Sequence, residues 1–133
     1  MSPERHHRHA VTALNAPAAI GPYAQAIRTG DLLFCSGQIP LDPETGELDG
    51  TTPGEQTRRC LRSLEAVCAA AGAQLVDAVR TTIYVTDMGA FAEVNEAYAE
   101  AFPEDPPARS TVGVAALPRG AQVEIDAIVA LPG

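Results

Sequence analysis

The chain has 133 residues, the length of one ordinary domain, and carries 9 basic against 17 acidic residues for a net charge of −8. This charge disfavours nucleic-acid backbones and acidic membrane surfaces as partners, so we expect neither. All the basic residues are arginine, and the absence of lysine excludes an internal Schiff base, a pyridoxal-phosphate anchor and a P-loop lysine.

The cysteine pattern is typical of a reducing compartment. Cys35, Cys60 and Cys68 are an odd number of cysteines without a CxxC spacing, and no apolar signal segment precedes them. No run approaches the roughly 20 apolar residues of a membrane span. These features predict free thiols and a cytoplasmic location.

The first residues predict a tail ahead of one domain. Residues 1–8 carry charge without periodicity, so we expect them to be disordered and residues 9–133 to form a single domain. His7 and His9 could chelate an ion, but two histidines in a mobile tail supply no closed coordination shell. We therefore expect no metal site.

Three strands are predicted before the first helix. Residues 9–14 form a short strand, and residues 23–28 and 31–36 flank Thr29-Gly30 as the two strands of a hairpin. Residues 36–50 are rich in glycine, proline and aspartate and predict a long surface loop with a small turn at Glu44-Thr45-Gly46.

A capping box marks the start of the first helix. Thr52 as N-cap, Pro53 in the first turn and Glu55 three residues after Thr52 predict this start, and Gly72 predicts the end. The buried face of this helix is predicted by apolar residues at helical spacing, namely Leu61, Leu64, Val67, Cys68 and Ala71.

The second half of the chain predicts a strand, a helix and two further strands. Residues 79–86 alternate as a strand, and Asp87 can cap a helix that ends at Pro103. The stripe of that helix contains one polar residue, Asn95, among Phe91, Val94, Tyr98 and Phe102. Residues 110–117 and 122–131 predict a final hairpin joined by Pro118-Arg119-Gly120.

These elements predict an α+β fold in the order ββαβαββ, with a mixed sheet of about six strands and two helices on one face. Two helices cover only one face of such a sheet, while the other face stays largely aliphatic. The economical cover is another copy of the chain, so we expect a closed homo-oligomer.

Glu124 and Arg109, near the end of the chain, are candidates for catalysis or substrate binding. Glu124 and Asp126 share one face of the last strand, in a segment too apolar to be wholly exposed, although a solvated strand end is an alternative. Arg109 follows Pro106-Pro107 and opens the strand that we expect to pair with the Glu124 strand. Its planar guanidinium suits bidentate capture of a substrate carboxylate, and the alternative is a structural Arg109–Glu124 ion pair.

Three segments carry a family resemblance. APAAIGPY at residues 16–23, SGQIP at 36–40 and PARSTVGVAALPRGAQVEI at 107–125 resemble the successive signatures of the RidA (YjgF/YER057c/UK114) family. Together with TTIYVTDM and VNEAY, these segments extend the resemblance over nearly the whole domain, from about residue 16 to residue 130.

The resemblance implies a fold like that of the bacterial chorismate mutases, assembled as a homotrimer with three clefts between subunits. It also implies an imine and enamine deaminase that hydrolyses 2-imino acids to 2-oxo acids and ammonia. Water attacking a C=N carbon needs positioning groups but no cofactor, and we expect none.

The resemblance also implies the site residues. Arg109 matches the family arginine that holds the substrate carboxylate, and Glu124 matches the glutamate that positions the water. Thr111 stands where family members often have a cysteine, so thiol chemistry is not expected there. The other positions that line or close the family pocket are matched by Tyr23, Ser36, Gly37 and Asn95.

Two alternative functions remain open. A non-catalytic or chaperone-like module could use Arg109 simply to capture a small carboxylate. An endoribonuclease activity has been attached to some relatives of the family, but the net charge of −8 and the absence of lysine argue against it.

Overall fold

A six-stranded mixed sheet forms the centre of the fold. A computed structural model describes residues 7–133. The strands are β1 (Arg8–Val11), β2 (Ala26–Thr29), β3 (Leu32–Gln38), β4 (Ala78–Val85), β5 (Ala108–Gly113) and β6 (Val123–Ala130), and the helices are α1 (Pro53–Ala70) and α2 (Phe91–Ala99). The strand order is β1-β2-β3-β6-β4-β5, in which β4 and β5 are parallel and all other neighbours are antiparallel. The predicted α+β class with two helices is confirmed.

The first strand begins close to the predicted boundary between tail and domain. Residues 1–6 lie outside the described residues, so the disordered tail stays a prediction. Arg8 begins β1 and pairs with Thr29 of β2, which satisfies the backbone of this charged segment. The order ββαβαββ describes the chain from β2 onward, and β1 is the strand predicted at residues 9–14.

Both turns predicted in the first half are confirmed. Gly30 joins β2 to β3 with a φ of +56°, a conformation that glycine adopts without strain. In the following loop, the Gly46 N–H donates to the Asp42 carbonyl at 2.8 Å and closes a turn at residues 42–47.

The capping box of α1 is also confirmed. The Glu55 N–H donates to Thr52 Oγ1 at 3.1 Å, while the Thr52 N–H donates to Glu55 Oε1 at 3.2 Å. The predicted stripe of α1 faces the core, where Leu64, Val67 and Cys68 are fully buried. Within residues 7–133, neither helix combines the length and the apolarity needed to cross a bilayer.

The predicted C-terminal hairpin is wrong. Helix α2 crosses over from β4 to a parallel β5, which places β5 at the edge of the sheet, beyond β4. The chain then passes through the turn at Pro118–Gly120 and returns to insert β6 between β3 and β4. β5 and β6 are therefore separated by β4, although they are consecutive in sequence.

The two faces of the sheet differ in what covers them. Val123, Ile125, Ala127 and Val129 of β6 are buried beneath the helices, as their alternation predicts. On β4 the predicted pattern fails at Val79, which is exposed because a bulge near Ala78 and Arg80 shifts the register. On the opposite, open face, Phe34 and Val112 are each 41% exposed, so this chain leaves apolar surface uncovered.

Candidate active site

Neutral groups hold the guanidinium of Arg109. Arg109 Nη2 donates to Asn95 Oδ1 at 2.7 Å, and the guanidinium carbon lies 4.9 Å from the centre of the Tyr98 ring and 5.7 Å from that of Phe91. Among residues 7–133, the ion pairs involve only Arg58, Arg59 and Arg62 on the basic side, so no carboxylate neutralises Arg109. The positive charge is therefore available to a ligand.

Helix α2 delivers these contacts by its spacing. Asp87 caps the turn that leads into α2 by accepting a hydrogen bond from the Gly89 N–H at 2.8 Å. Residues four and then three positions apart lie on one helix face, which brings Phe91, Asn95 and Tyr98 together beneath Arg109. In the parallel pairing of β4 with β5, the backbone of Arg109 lies opposite Thr81, and both side chains face the helix-covered side of the sheet.

Thr111 belongs to the same group of residues. It lies two positions after Arg109 on β5, opposite the buried Ile83 of β4, so it faces the same side of the sheet. Its Oγ1 atom is buried and has no hydrogen-bond partner within residues 7–133. An unpaired buried hydroxyl is costly, so this atom is suited to bonding a ligand. We call Arg109, Asn95, Tyr98, Phe91 and Thr111 the arginine cluster.

Glu124 lies on the open face of the sheet, in a second group of predicted residues. Its carboxylate borders a cavity of about 350 Å³ between β3, β6 and the loop before β2. The predicted residues Tyr23, Ser36 and Gly37 line the same cavity, together with Ile20, Ile39 and Pro118. We call Glu124, Tyr23, Ser36 and Gly37 the glutamate cluster.

A bulge in β3 makes room for the Glu124 carboxylate. The register with β6 shifts between Cys35 and Gln38, and a Cβ atom at position 37 would overlap the carboxylate of Glu124. With any other residue at position 37, the Glu124 side chain would have to turn away from this position. Ser36 fixes the bulge to the neighbouring loop, because its Oγ donates to the Ala24 carbonyl at 2.6 Å.

The Glu124 carboxylate is poised to accept a proton. Within residues 7–133 it makes no ion pair or hydrogen bond, and partial burial raises its pKa above the ordinary value of 4.5, with a further contribution from the charge of Asp126. Asp126 itself accepts a hydrogen bond from the Tyr84 hydroxyl at 3.1 Å. Of the two carboxylates on this face, Glu124 is therefore the unpaired one.

The two clusters lie on opposite faces of the sheet. Glu124 stands opposite Tyr84 and Arg109 opposite Thr81, so β4 separates them by two strand spacings, roughly 10 Å, and their side chains point to different sides. The alternative of a structural Arg109–Glu124 ion pair within one chain is therefore wrong. It relied on direct pairing of β5 with β6, and the α2 crossover prevents that pairing.

Other concave regions offer less chemistry. An open groove of about 400 Å³ lies between α1 and α2, where Arg58 donates two hydrogen bonds to the exposed Glu100 carboxylate at 2.8 and 2.9 Å. Neither charge is left free there. The described residues 7–133 contain no group of three or more histidine, cysteine or acidic residues arranged to hold a metal ion.

Comparison with known proteins gives concordant results. A family model described as endoribonuclease L-PSP matches residues 13–131. The 2-iminobutanoate/2-iminopropanoate deaminase of Mus musculus is 42% identical over 121 residues, which cover 91% of this chain and 90% of that protein. RutC family protein y4sK of Sinorhizobium fredii is 48% identical over 121 residues, covering 91% and 96%.

Solved structures agree with these relatives. RidA from the Antarctic bacterium Psychrobacter superposes with a TM-score of 0.89 at 39% identity, covering 92% of this chain and 99% of that one. TdcF of E. coli with bound serine superposes with a TM-score of 0.87 at 37% identity, covering 93% and 99%.

This chain belongs to the RidA (YjgF/YER057c/UK114) family. The RidA resemblance of the three sequence segments is confirmed, and so is the predicted fold class. RidA relatives include proteins named as deaminases, whereas others are named only as RutC family members.

The sequence alone does not predict the groups that contact the Arg109 guanidinium. Its periodicity predicts Phe91 and Tyr98 only as core residues of the α2 stripe, whereas the structure places both rings against the guanidinium. The available signal was Asn95, a polar residue within that apolar stripe, which indicates that a polar partner lies against this face. The sequence alone also does not predict Ile20, Ile39 and Pro118 as site residues, although each lies inside one of the three RidA signature segments.

The raised pKa of Glu124 predicts a pH-dependent gain in stability for Glu124→Gln. The folded state of the wild type holds the Glu124 proton more tightly than the unfolded state does. Protonated Glu124 therefore contributes stability that is fully present below the unfolded pKa near 4.5. This contribution is lost as the pH rises through the higher pKa of the folded state. Glutamine does not ionise, so the variant should gain stability over the wild type as the pH rises above 4.5.

Urea unfolding at one protein concentration across a pH series measures this difference. The matched control is Glu44→Gln in an exposed turn, which should follow the wild-type profile. A constant offset between Glu124→Gln and the wild type at every pH would contradict the assignment of a raised pKa.

Proposed function

We propose that this protein hydrolyses 2-imino and 2-enamino acids to 2-oxo acids and ammonia, without a cofactor. Similarity to the mouse 2-iminobutanoate/2-iminopropanoate deaminase supports this reaction. The observation that carries the proposal is the presence of two unpaired and opposite charges, the Arg109 guanidinium and the Glu124 carboxylate. One suits a substrate carboxylate, and the other suits a water molecule.

We propose that the two clusters meet between copies of the chain. Because the clusters face opposite sides of the sheet, a cleft that uses both requires the arginine cluster of one copy and the glutamate cluster of the next. Repetition of this head-to-tail contact closes into a ring, and a homotrimer contains three such clefts. The uncovered apolar face around Phe34 and Val112 supports this assembly.

In this cleft the guanidinium of Arg109 binds the substrate carboxylate through two parallel hydrogen bonds. Thr111 Oγ1, which has no partner within residues 7–133, bonds to the substrate beside it. Tyr23, Ser36 and Gly37 line the opposite wall, and Asn95 steadies the arginine. The substrate carbon is thereby held between the arginine and the water.

Glu124 orients and activates the water. In the protonated imine, the water oxygen bonds to the C=N carbon, the π electron pair of the C=N bond moves to the nitrogen and one water proton passes to Glu124, giving a neutral carbinolamine. The protonated Glu124 then gives this proton to the nitrogen and the C–N bond breaks. The hydroxyl proton passes to the departing ammonia, which leaves as ammonium together with the 2-oxo acid. A carboxyl group with a raised pKa suits both steps, because its carboxylate is a stronger base than an ordinary one and its acid form can still return the proton.

The cavity lining and one solved structure support a small substrate. Ile20, Ile39 and Pro118 are uncharged and largely apolar, which suits small uncharged substrate side chains. The E. coli TdcF structure contains bound serine, a small amino acid with an α-carboxylate, and this supports a ligand of similar size. The free buried thiols of Cys35, Cys60 and Cys68 support a reducing, cytoplasmic location.

Two other functions are weaker candidates. A chaperone-like or non-catalytic carboxylate-binding module would use the same arginine, so turnover distinguishes it from the enzyme. The name of the family model favours endoribonuclease activity, but a net charge of −8 without lysine opposes RNA binding. RNA cleavage that survives replacement of Arg109 and Glu124 would indicate a contaminant.

Ammonia release from imines tests the activity directly, with Arg109→Lys as the first variant. The imines are generated in situ by an amino-acid dehydratase or oxidase. Lysine keeps the charge but loses the planar fork, so we expect turnover to fall by about 10²-fold or more with the assembly intact. Arg28→Lys, on the exposed side of β2, is the matched control and should match the wild type. Near-normal turnover of Arg109→Lys would remove Arg109 from the substrate.

Glu124→Gln tests the role of the carboxylate. Glutamine keeps the shape but is a far weaker proton acceptor, so turnover should fall by about 10²-fold or more. Binding of an unreactive 2-oxo acid through Arg109 should persist. Asp126→Asn on the same strand is the matched control, and it should keep turnover while moving the acidic limb of the pH–rate profile to lower pH, because the Asp126 charge raises the pKa of Glu124. Unchanged turnover in Glu124→Gln would refute the proposed role.

The shared cleft predicts a trimer and a complementation effect. Light scattering should give three times the chain mass of 13.9 kDa, and a monomeric mass would refute the assembly. Co-refolding equal amounts of the Arg109→Lys and Glu124→Gln chains should restore about a quarter of the wild-type activity, because each cleft needs an intact arginine and an intact glutamate from neighbouring copies. A mixture as inactive as its components would mean that both residues act within one chain.

A further inference from the structure

Thr81 and Tyr98 connect the backbone of Arg109 to its own guanidinium through successive contacts. Thr81 stands opposite Arg109 in the parallel register of β4 and β5. The Oγ1 atom of Thr81 and the hydroxyl of Tyr98 share a hydrogen bond of 2.6 Å, and the Tyr98 ring lies 4.9 Å from the guanidinium carbon. The register between β4 and β5 thus fixes the backbone of Arg109 and, through Thr81, also the position of the Tyr98 ring beneath its guanidinium.

The Tyr98 ring is fixed from several sides. It is only 5% exposed, and Phe102 packs against it with ring centres 4.8 Å apart. Its hydroxyl has the fully buried Thr81 as its partner, so both hydroxyls are satisfied. A phenylalanine would fill the same apolar space, so the hydroxyl adds a fixed direction to the ring rather than more burial.

Neutral contacts, such as those from the Tyr98 ring and Asn95, suit a ligand-binding arginine better than a carboxylate partner does. A carboxylate would occupy the guanidinium fork and compete with the substrate for it. An aromatic face attracts the cation without taking up its N–H donors, and Asn95 accepts from only one of its nitrogens. Arg109 is therefore restrained while most of its donors stay free.

We infer that Tyr98, held by Thr81, is a positioning residue that sets the orientation of the Arg109 guanidinium for the substrate carboxylate. This inference rests on the proposed role of Arg109 in binding that carboxylate. Tyr98 acts through Arg109 and does not touch the substrate. Because loss of the ring leaves the guanidinium fork in place and only lowers the fraction of molecules in which it is correctly oriented, it raises KM and changes kcat much less.

Ligand binding and kinetics of Tyr98 and Thr81 variants test this positioning. The probe is 2-oxobutanoate, measured by calorimetry. Tyr98→Leu should weaken the affinity about tenfold and raise KM by a similar factor, with kcat within about twofold. The control is Leu33→Val, which removes buried apolar volume on β3, a strand that β6 and β4 separate from the Arg109 strand, and it should keep wild-type affinity despite lower stability.

The hydroxyl bond is tested separately, in variants that keep the ring. Tyr98→Phe and Thr81→Val should each weaken 2-oxobutanoate binding by about threefold, between the wild type and Tyr98→Leu. Thr81→Ser restores the hydroxyl and should rescue the affinity. These variants decide the question even if Tyr98→Leu does not fold, because equal affinities for Thr81→Val, Thr81→Ser and the wild type would overturn the role of Thr81.

A spectroscopic measurement keeps this inference separable from the proposed function. The Nε–H proton of Arg109, assigned by its loss in Arg109→Lys, should show an upfield ring-current shift in the wild type that disappears in Tyr98→Leu. An unchanged shift, or unchanged affinity in Tyr98→Leu, would make Tyr98 a purely structural residue. If the wild type neither binds 2-oxobutanoate nor releases ammonia, the proposed function fails, and the ring-current shift still decides whether Tyr98 orients Arg109.

Discussion

The parallel pairing of β5 with β4 is the constraint on which the rest of the structure depends. A parallel neighbour requires a crossover connection, and α2 supplies it. The crossover carries Arg109 to the edge of the sheet on the face that the helices cover. It also leaves the place beside β4 for β6, which directs Glu124 to the open face. The two charges that are best suited to chemistry are thereby kept apart within one chain.

The Arg109 and Glu124 charges have no ion-pair partner within residues 7–133. The local structure around each one accommodates an unpaired charge. The Arg109 guanidinium lies on aromatic faces and an amide oxygen, which restrain a cation without neutralising it. The Glu124 carboxylate occupies the space beside position 37 that glycine leaves open within a bulge. A partly buried carboxylate without a partner reduces stability at neutral pH, and such costs are typical of functional sites.

The open face of the sheet links stability to activity in the proposed assembly. Phe34 and Val112 expose apolar surface there, and Glu124 faces the same side. A neighbouring copy that covers this surface would at the same time bring its own arginine cluster toward the glutamate cluster. In such an arrangement, the hydrophobic burial that stabilises the trimer also assembles the cleft, so no separate interface is needed for catalysis.

The sequence by itself determined the features that depend on neighbouring residues. The capping box at Thr52, the turn at Gly30 and the alternation along β6 follow from local backbone preferences and periodicity, and the structure agrees with them. The RidA signatures indicated the family and identified Arg109 and Glu124 as candidates. Within residues 7–133 the structure leaves both charges without an ion-pair partner, Arg109 beside Asn95 and Glu124 beside a cavity.

Only the tertiary structure decided the strand order and the surroundings of the two charges. A turn such as Pro118–Gly120 is compatible with a hairpin or with a return across the sheet, and the packing of α2 selects the second. The contact of Tyr98 with Arg109 joins an α2 residue to an edge strand, and its bond to Thr81 adds β4. Helical spacing explains why Tyr98 is buried, but it does not specify what lies above the ring, because that depends on segments distant in sequence.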